Sequence, residues 1–138
     1  MDYVQDFEKG QDDWRFTQGP GEIVKEQDGN HYITGGEYVT DYNLFKDFDL
    51  QFARDIPVTI KFKIKIPKNV VLIYLSCGFS NNLMPLEIPA SDDKWHECET
   101  TLPPPPQSEP ASFRIWAYNP PEAPPRGVGF DDIAITQQ

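Results

Sequence analysis

Basic residues are scarce in this chain. It holds 12 Lys and Arg against 22 Asp and Glu, for a formal net charge of −10 over 138 residues. That charge repels nucleic acids and acidic lipid surfaces, and no Lys/Arg-rich patch offsets it. Neutral molecules, cations and basic proteins remain as partners. Long apolar runs are also missing, so no membrane-spanning helix is predicted. The opening residues, "MDYVQDFEKG", carry neither a basic nor an apolar leader region, and no signal peptide is read in them. Cysteine is nearly absent. Cys77 and Cys98 stand outside any C-x-x-C spacing, so no zinc site is predicted. They are two free thiols or one bridge, and a bridge implies an oxidising compartment. The two histidines have no evident acid–base partners, and no Ser-His-Asp order is apparent. A non-enzyme is therefore expected.

Proline and aromatic residues are plentiful, and apolar residues alternate with a period of two. Residues 13–18 place Trp14 and Phe16 on one face. Residues 22–26 and 31–35 flank "QDGN", a hairpin signal. Residues 47–52 put Phe48, Leu50 and Phe52 on one side, although Phe45, Phe48 and Phe52 also fit a helical stripe. The clearest strand is "VTIKFKIKI" (58–66), with Val58, Ile60, Phe62, Ile64 and Ile66 inward and Lys61, Lys63 and Lys65 outward. Residues 70–79, 94–102, 112–118 and 128–136 complete the set. Eight or nine strands with Pro and Gly between them, and no secure helix, predict an all-β, antiparallel jelly-roll sandwich over residues 1–138. The segments 102–110 and 119–127 read as stiff proline-rich loops. Within the second, Pro121, Pro124 and Arg126 match the spacing of an SH3 ligand.

Two acidic clusters lie at opposite ends of the sequence, "DFEKGQDDW" (6–14) and "GFDDIAI" (129–135). Pairing of the first and last strands brings them together. Converging carboxylates require a cation, and calcium accepts several oxygen ligands in flexible geometry. Glu8 with Asp131 or Asp132 can supply side-chain oxygens, and Asp6, Asp12 and Asp13 are further donors. By parity Asp131 shares a face with Ile133 and Ile135 and points inward. The competing reading is that these are solvated loop acids.

In order and spacing, these two signatures and the intervening "GNHYITGG" resemble the jelly-roll, galactose-binding-like carbohydrate-binding modules appended to glycoside hydrolases. Extracellular MAM domains, which mediate adhesion, are a second resemblance. The resemblance implies a structural calcium held by an N-terminal Glu and a C-terminal Asp. In this sequence those are Glu8 and Asp131, with Asp132 the alternative. It also implies a secreted or extracellular location.

The segment "FRIWAYNP" (113–120) carries the remaining signal. Phe113, Ile115 and Ala117 form a core face. Arg114, Trp116 and Tyr118 then face outward. Tyr74 has the parity to join them if Val71, Ile73 and Leu75 are core. Sugars offer apolar C–H faces edged by hydroxyls, which suit aromatic rings beside a few polar groups. Lys61, Lys63, Lys65, Glu97 and Glu99 are candidate further contacts, with His96 at the margin. The competing reading covers Trp116 with the proline-rich loops. Trp14 reads as core, and Trp95 as a staple at the sandwich edge. The sequence thus predicts a non-catalytic carbohydrate-binding module. Its ligand residues are Arg114, Trp116, Tyr118 and Tyr74. The alternative is a MAM-like protein-interaction module.

Overall fold

The computed structural model describes residues 2–35, 42–48, 52–53, 55–80, 82–105, 111–119 and 125–137. Among them are eleven strands and no helix: β1 (Asp2–Gln5), β2 (Arg15–Phe16), β3 (Glu22–Lys25), β4 (His31–Thr34), β5 (Tyr42–Phe48), β6 (Val58–Lys65), β7 (Tyr74–Phe79), β8 (Asn82–Pro85), β9 (Trp95–Leu102), β10 (Ala111–Tyr118) and β11 (Gly129–Thr136). All pairings are antiparallel. One sheet runs β3-β4-β11-β6-β9, with β1 also on β11, and the other runs β2-β5-β10-β7-β8. The two sheets face each other as the predicted jelly-roll sandwich.

Alternation builds the core between them. Val58, Ile60, Phe62 and Ile64 of β6 and Phe113, Ile115 and Ala117 of β10 are buried, each at or near zero exposure. Trp14 and Phe16 are buried as predicted. The Asp28-Gly29 turn joins β3 to β4, with Gly29 at φ 95°, where a side chain would be strained.

Three expectations need correction. The strand predicted at 47–52 lies earlier, at Tyr42–Phe48. Tyr42, Leu44 and Phe48 point inward, but Lys46 shares their face and breaks the apolar period. Its ammonium is satisfied by the carbonyl of Asp12 at 2.8 Å and sits 5.4 Å from the centre of the Phe48 ring. Phe48 and Phe52 are buried, while Leu50 lies outside the described residues. The strand predicted at 70–79 is pairable only from Tyr74. Val70 and Leu72 are buried, whereas Val71 and Ile73 are 72% and 56% exposed. Only Leu75 of the predicted inward trio is core. The short edge strands β1 and β8 were not predicted.

The third correction concerns Asp131. The β11–β6 register slips between Asp131 and Ala134, with Asp132 at φ 48°. This bulge reverses parity, so Asp131 sits opposite Lys63 on the outer side of the sheet and not with Ile133. It is nevertheless buried, at 2% exposure. β11 also changes neighbour there, pairing with β4 before the bulge and β1 after it.

Candidate functional site

The outer face of the β2-β5-β10-β7-β8 sheet is laid out by register. Directly paired residues in an antiparallel ladder point the same way. One row therefore runs Arg15, Phe45, Arg114, Gly78 and Leu83. The next runs Asn43, Trp116, Ser76 and Pro85, and a third pairs Tyr118 with Tyr74. The four residues predicted for this face thus stand together. Tyr74 lies edge-on to Trp116 at 5.4 Å between ring centres, and Tyr118 tilts against Trp116 at the same distance. Arg114, Trp116 and Tyr74 are half-buried, and Tyr118 is exposed. At the same end Val71 and Ile73 are exposed, and the Ile73 amide donates to the Asn119 side chain at 3.0 Å.

Polar groups distinguish this face. Among the described residues, three closed-off side-chain atoms have no hydrogen-bond partner: Asn43 Oδ1, Ser76 Oγ and Arg114 Nε. All three flank Trp116 or lie one row from it. Buried polar atoms are nearly always paired, so three orphans in one place mark where enclosed water completes the structure. At the β2 edge, Arg15 stacks 4.4 Å over the Phe45 ring and pairs with Asp47 at 3.0 Å. Beside Arg114, a Cβ on Gly78 would run into the Asn82 carbonyl, so the β7–β8 hairpin folds over toward this face. Sequence reasoning missed Asn43, Phe45 and Ser76. Lys46 obscures the alternation that places the first two, and Ser76 lies in a strand buried on both sides.

Lys61, Lys63, Lys65, Glu97 and Glu99 do not join this face. They belong to β6 and β9 of the other sheet, where Lys61 pairs with Glu97 at 3.7 Å. His96 is on β9 too, with Nε2 2.8 Å from Asp92. Tyr42 is fully buried, and Pro121 and Pro124 lie outside the described residues. Trp95 packs edge-on against Tyr32 at 5.2 Å on the outer side of its sheet, as a staple.

The chain ends do converge. β1 pairs with the second half of β11. Glu8 accepts the His31 amide at 2.7 Å, with His31 Nδ1 2.9 Å away. These contacts hold its carboxyl below the usual range. The adjacent Asn30 donates to Asp131 at 2.9 Å. Burial raises the Asp131 carboxyl to about 6, and the Asp132 and Glu8 charges add to the shift, while the Asn30 and Asp132 bonds oppose it. Asp132 itself pairs with Lys63 at 3.1 Å. Among the described residues, no three His, Cys, Asp or Glu side chains gather closely enough to hold a metal by themselves. The donor chemistry still suits a hard cation. Asp131 is a buried carboxylate bonded only to neutral donors.

The same fold occurs in solved carbohydrate-binding modules. The CBM22-2 xylan-binding domain of Xyn10C from Paenibacillus barcinonensis superposes with a TM-score of 0.65 at 18% identity, over 99% of each chain. The C-terminal CBM6 of LamC, a marine laminarinase from Zobellia galactanivorans, gives 0.59 at 10% identity, again over 99% of each chain. A family 35 carbohydrate-binding module from Clostridium thermocellum gives 0.60 at 11%, covering 100% of this chain and 99% of its own. This chain shares their fold. No protein-family model matches the sequence, and no curated protein does. The likeness is therefore one of architecture, and the face around Trp116 must be read from its own residues.

Proposed function

We propose that this protein is a non-catalytic carbohydrate-binding module, and that it holds a sugar chain on the outer face of the β5-β10-β7 strands. The observation that carries the reading is the cluster of three aromatic rings on one sheet face with the half-buried Arg114 beside them. Rings of Tyr74, Trp116 and Tyr118 take the apolar C–H faces of sugar units. The guanidinium of the half-buried Arg114 supplies a donor for the sugar hydroxyls. The fold shared with a xylan-binding domain and with a module of a laminarinase supports the same class of ligand. The module acts outside the cell, joined to or acting beside a polysaccharide-degrading enzyme. Affinity electrophoresis against plant, algal and bacterial polysaccharides tests this. Retardation by at least one polymer, lost in Trp116→Ala, is expected. A protein retarded by none is not such a module.

The second reading is an adhesion module, and it rests on the exposed Val71 and Ile73 beside Tyr118. It predicts self-association or capture of a protein in place of retardation by glycans.

We propose also that Glu8 and Asp131 hold a structural calcium ion, with Asp132 as the alternative carboxylate. The ion would supply the charge that the buried Asp131 lacks, and backbone carbonyls would complete its shell. It would fasten the N-terminal segment to β11 and stabilise the folded protein by mass action.

A further inference from the structure

Among the described residues, the cations of this protein fall into two groups. The partly or fully buried ones have carboxylate partners: Arg15 with Asp47, Lys46 with Asp12, Lys63 with Asp132 and Lys65 with Glu26. The remaining lysines and Arg126 are exposed to water. Arg114 fits neither group. It is half-buried in the middle of the aromatic face. Its register neighbours are Phe45 and Gly78. No carboxylate among the described residues pairs with it, and its Nε is closed off without a partner.

A partly desolvated cation without a counter-charge is unfavourable, and in a chain of net charge −10 acids are not in short supply. We infer that the counter-charge comes from the ligand: the glycan bound on this face carries a carboxylate, which pairs with Arg114 while its sugar ring rests on Trp116. This rests on the carbohydrate-binding reading and narrows it to acidic sugars, the uronates. A planar guanidinium meets a carboxylate in two parallel hydrogen bonds, a geometry that a hydroxyl cannot match. The charge of the whole protein limits the choice further. A chain with a carboxylate on every sugar would be repelled, so the ligand is a mostly neutral polymer with scattered uronate units.

The test uses three polymers and the whole protein. The first is a glucuronoxylan. The second is the same material with its carboxyl groups reduced to alcohols. The third is polygalacturonate. Calorimetric titration should show the wild type binding the glucuronoxylan about tenfold or more tightly than its reduced form, the order expected for one charge pair. Polygalacturonate should bind more weakly than glucuronoxylan. Arg114→Met should erase the preference for the acidic form, so that native and reduced polymers bind alike, both more weakly than the wild type binds the glucuronoxylan. If Arg114→Met melts early, Arg114→Lys makes the same comparison, since it keeps the charge and loses the two-pronged geometry. Equal binding of native and reduced glucuronoxylan by the wild type would overturn the inference and leave the carbohydrate reading standing. Failure to bind any of these, with no polymer of the wider panel retarded either, would remove both.

Discussion

Asn30 donates its side-chain amide to the carboxylate of Asp131 at 2.9 Å, across 101 residues of sequence. Among the described residues Asn30 is the hydrogen-bond donor that reaches Asp131 from a distant part of the chain, and it brings no positive charge. The folded carboxyl titrates at about 6, against an ordinary value of 3.8. The folded protein therefore holds this proton more tightly than the unfolded chain does. The stability contributed by the protonated group is complete below pH ~4 and is lost as pH rises through ~6. In chelator, Asp131→Asn should gain melting temperature relative to the wild type between pH 4 and 7. With excess calcium at pH 7 the wild type should gain instead, because the ion binds the folded state. Calorimetry in both buffers reads the two effects. Superimposed wild-type curves in chelator and calcium would sink the proposed ion.

The N-terminal segment depends on Trp14. Its ring is 1% exposed and packs edge-on against Phe48 at 6.2 Å and Phe113 at 6.0 Å. Its Nε1 donates to the Tyr3 hydroxyl at 2.9 Å, and that hydroxyl donates to Asp12 at 2.7 Å. Trp14→Ala should cost about 3–5 kcal/mol in urea unfolding, as truncations of large buried rings do. A loss below about 1 kcal/mol would mean that the ring is not core.

The strands with unbroken alternation, β6 and β10, were legible, and so was the convergence of the two acidic ends. What escaped has physical causes. Lys46 is buried because one carbonyl and two rings accept its ammonium, and no pattern announces that. Val71 and Ile73 are apolar yet exposed, since pairing with β10 extends only to Tyr74. The bulge at Asp132 inverts the parity of Asp131, and bulges have no reliable sequence mark. Arg114, Trp116 and Tyr118 followed from parity within β10, while Tyr74 joins them from β7 although Val71 and Ile73 are exposed. The polar members of this face on the neighbouring strands depended on register, which is fixed only by the folded sheet.

Glu26 joins both hairpin and sheet. It accepts from Asn30 at 2.9 Å, Trp95 Nε1 at 3.0 Å and Lys65 at 2.8 Å. Glu26→Ala strips a partner from three donors at once. A loss of about 1–3 kcal/mol is expected, with Glu26→Gln intermediate. Chemical denaturation measures the cost, and a red shift of Trp95 emission should accompany it. Indifference to both changes would show that water replaces the carboxylate freely.

Cys77 and Cys98 are free and buried on β7 and β9. Burial pushes their thiols up to about 12 and about 11. Neither should form the reactive thiolate at pH 8. A thiol reagent should label the folded protein slowly, and both sites should react promptly in denaturant without reductant. No reaction in denaturant until reductant is added would reveal a bridge between the sheets.

The face around Trp116 makes a prediction that separates binding from stability. Ser76 Oγ has no hydrogen-bond partner, so Ser76→Ala deletes a closed-off polar atom and breaks no bond. Its melting temperature should stay level or rise, since an unpaired buried hydroxyl is a cost to the folded state. Binding of the retarding polysaccharide should be unchanged, because the Ser76 side chain is fully buried and out of a sugar's reach. Trp116→Ala should behave differently. Its ring is half-buried against Tyr74 and Tyr118, so stability should fall by about 1–2 kcal/mol, between the surface and core cases. Binding should vanish, and Trp116→Phe should restore part of it by returning an aromatic surface. Electrophoresis and melting on the same three variants decide the matter. If Trp116→Ala loses binding only as far as it unfolds, the rings form no site.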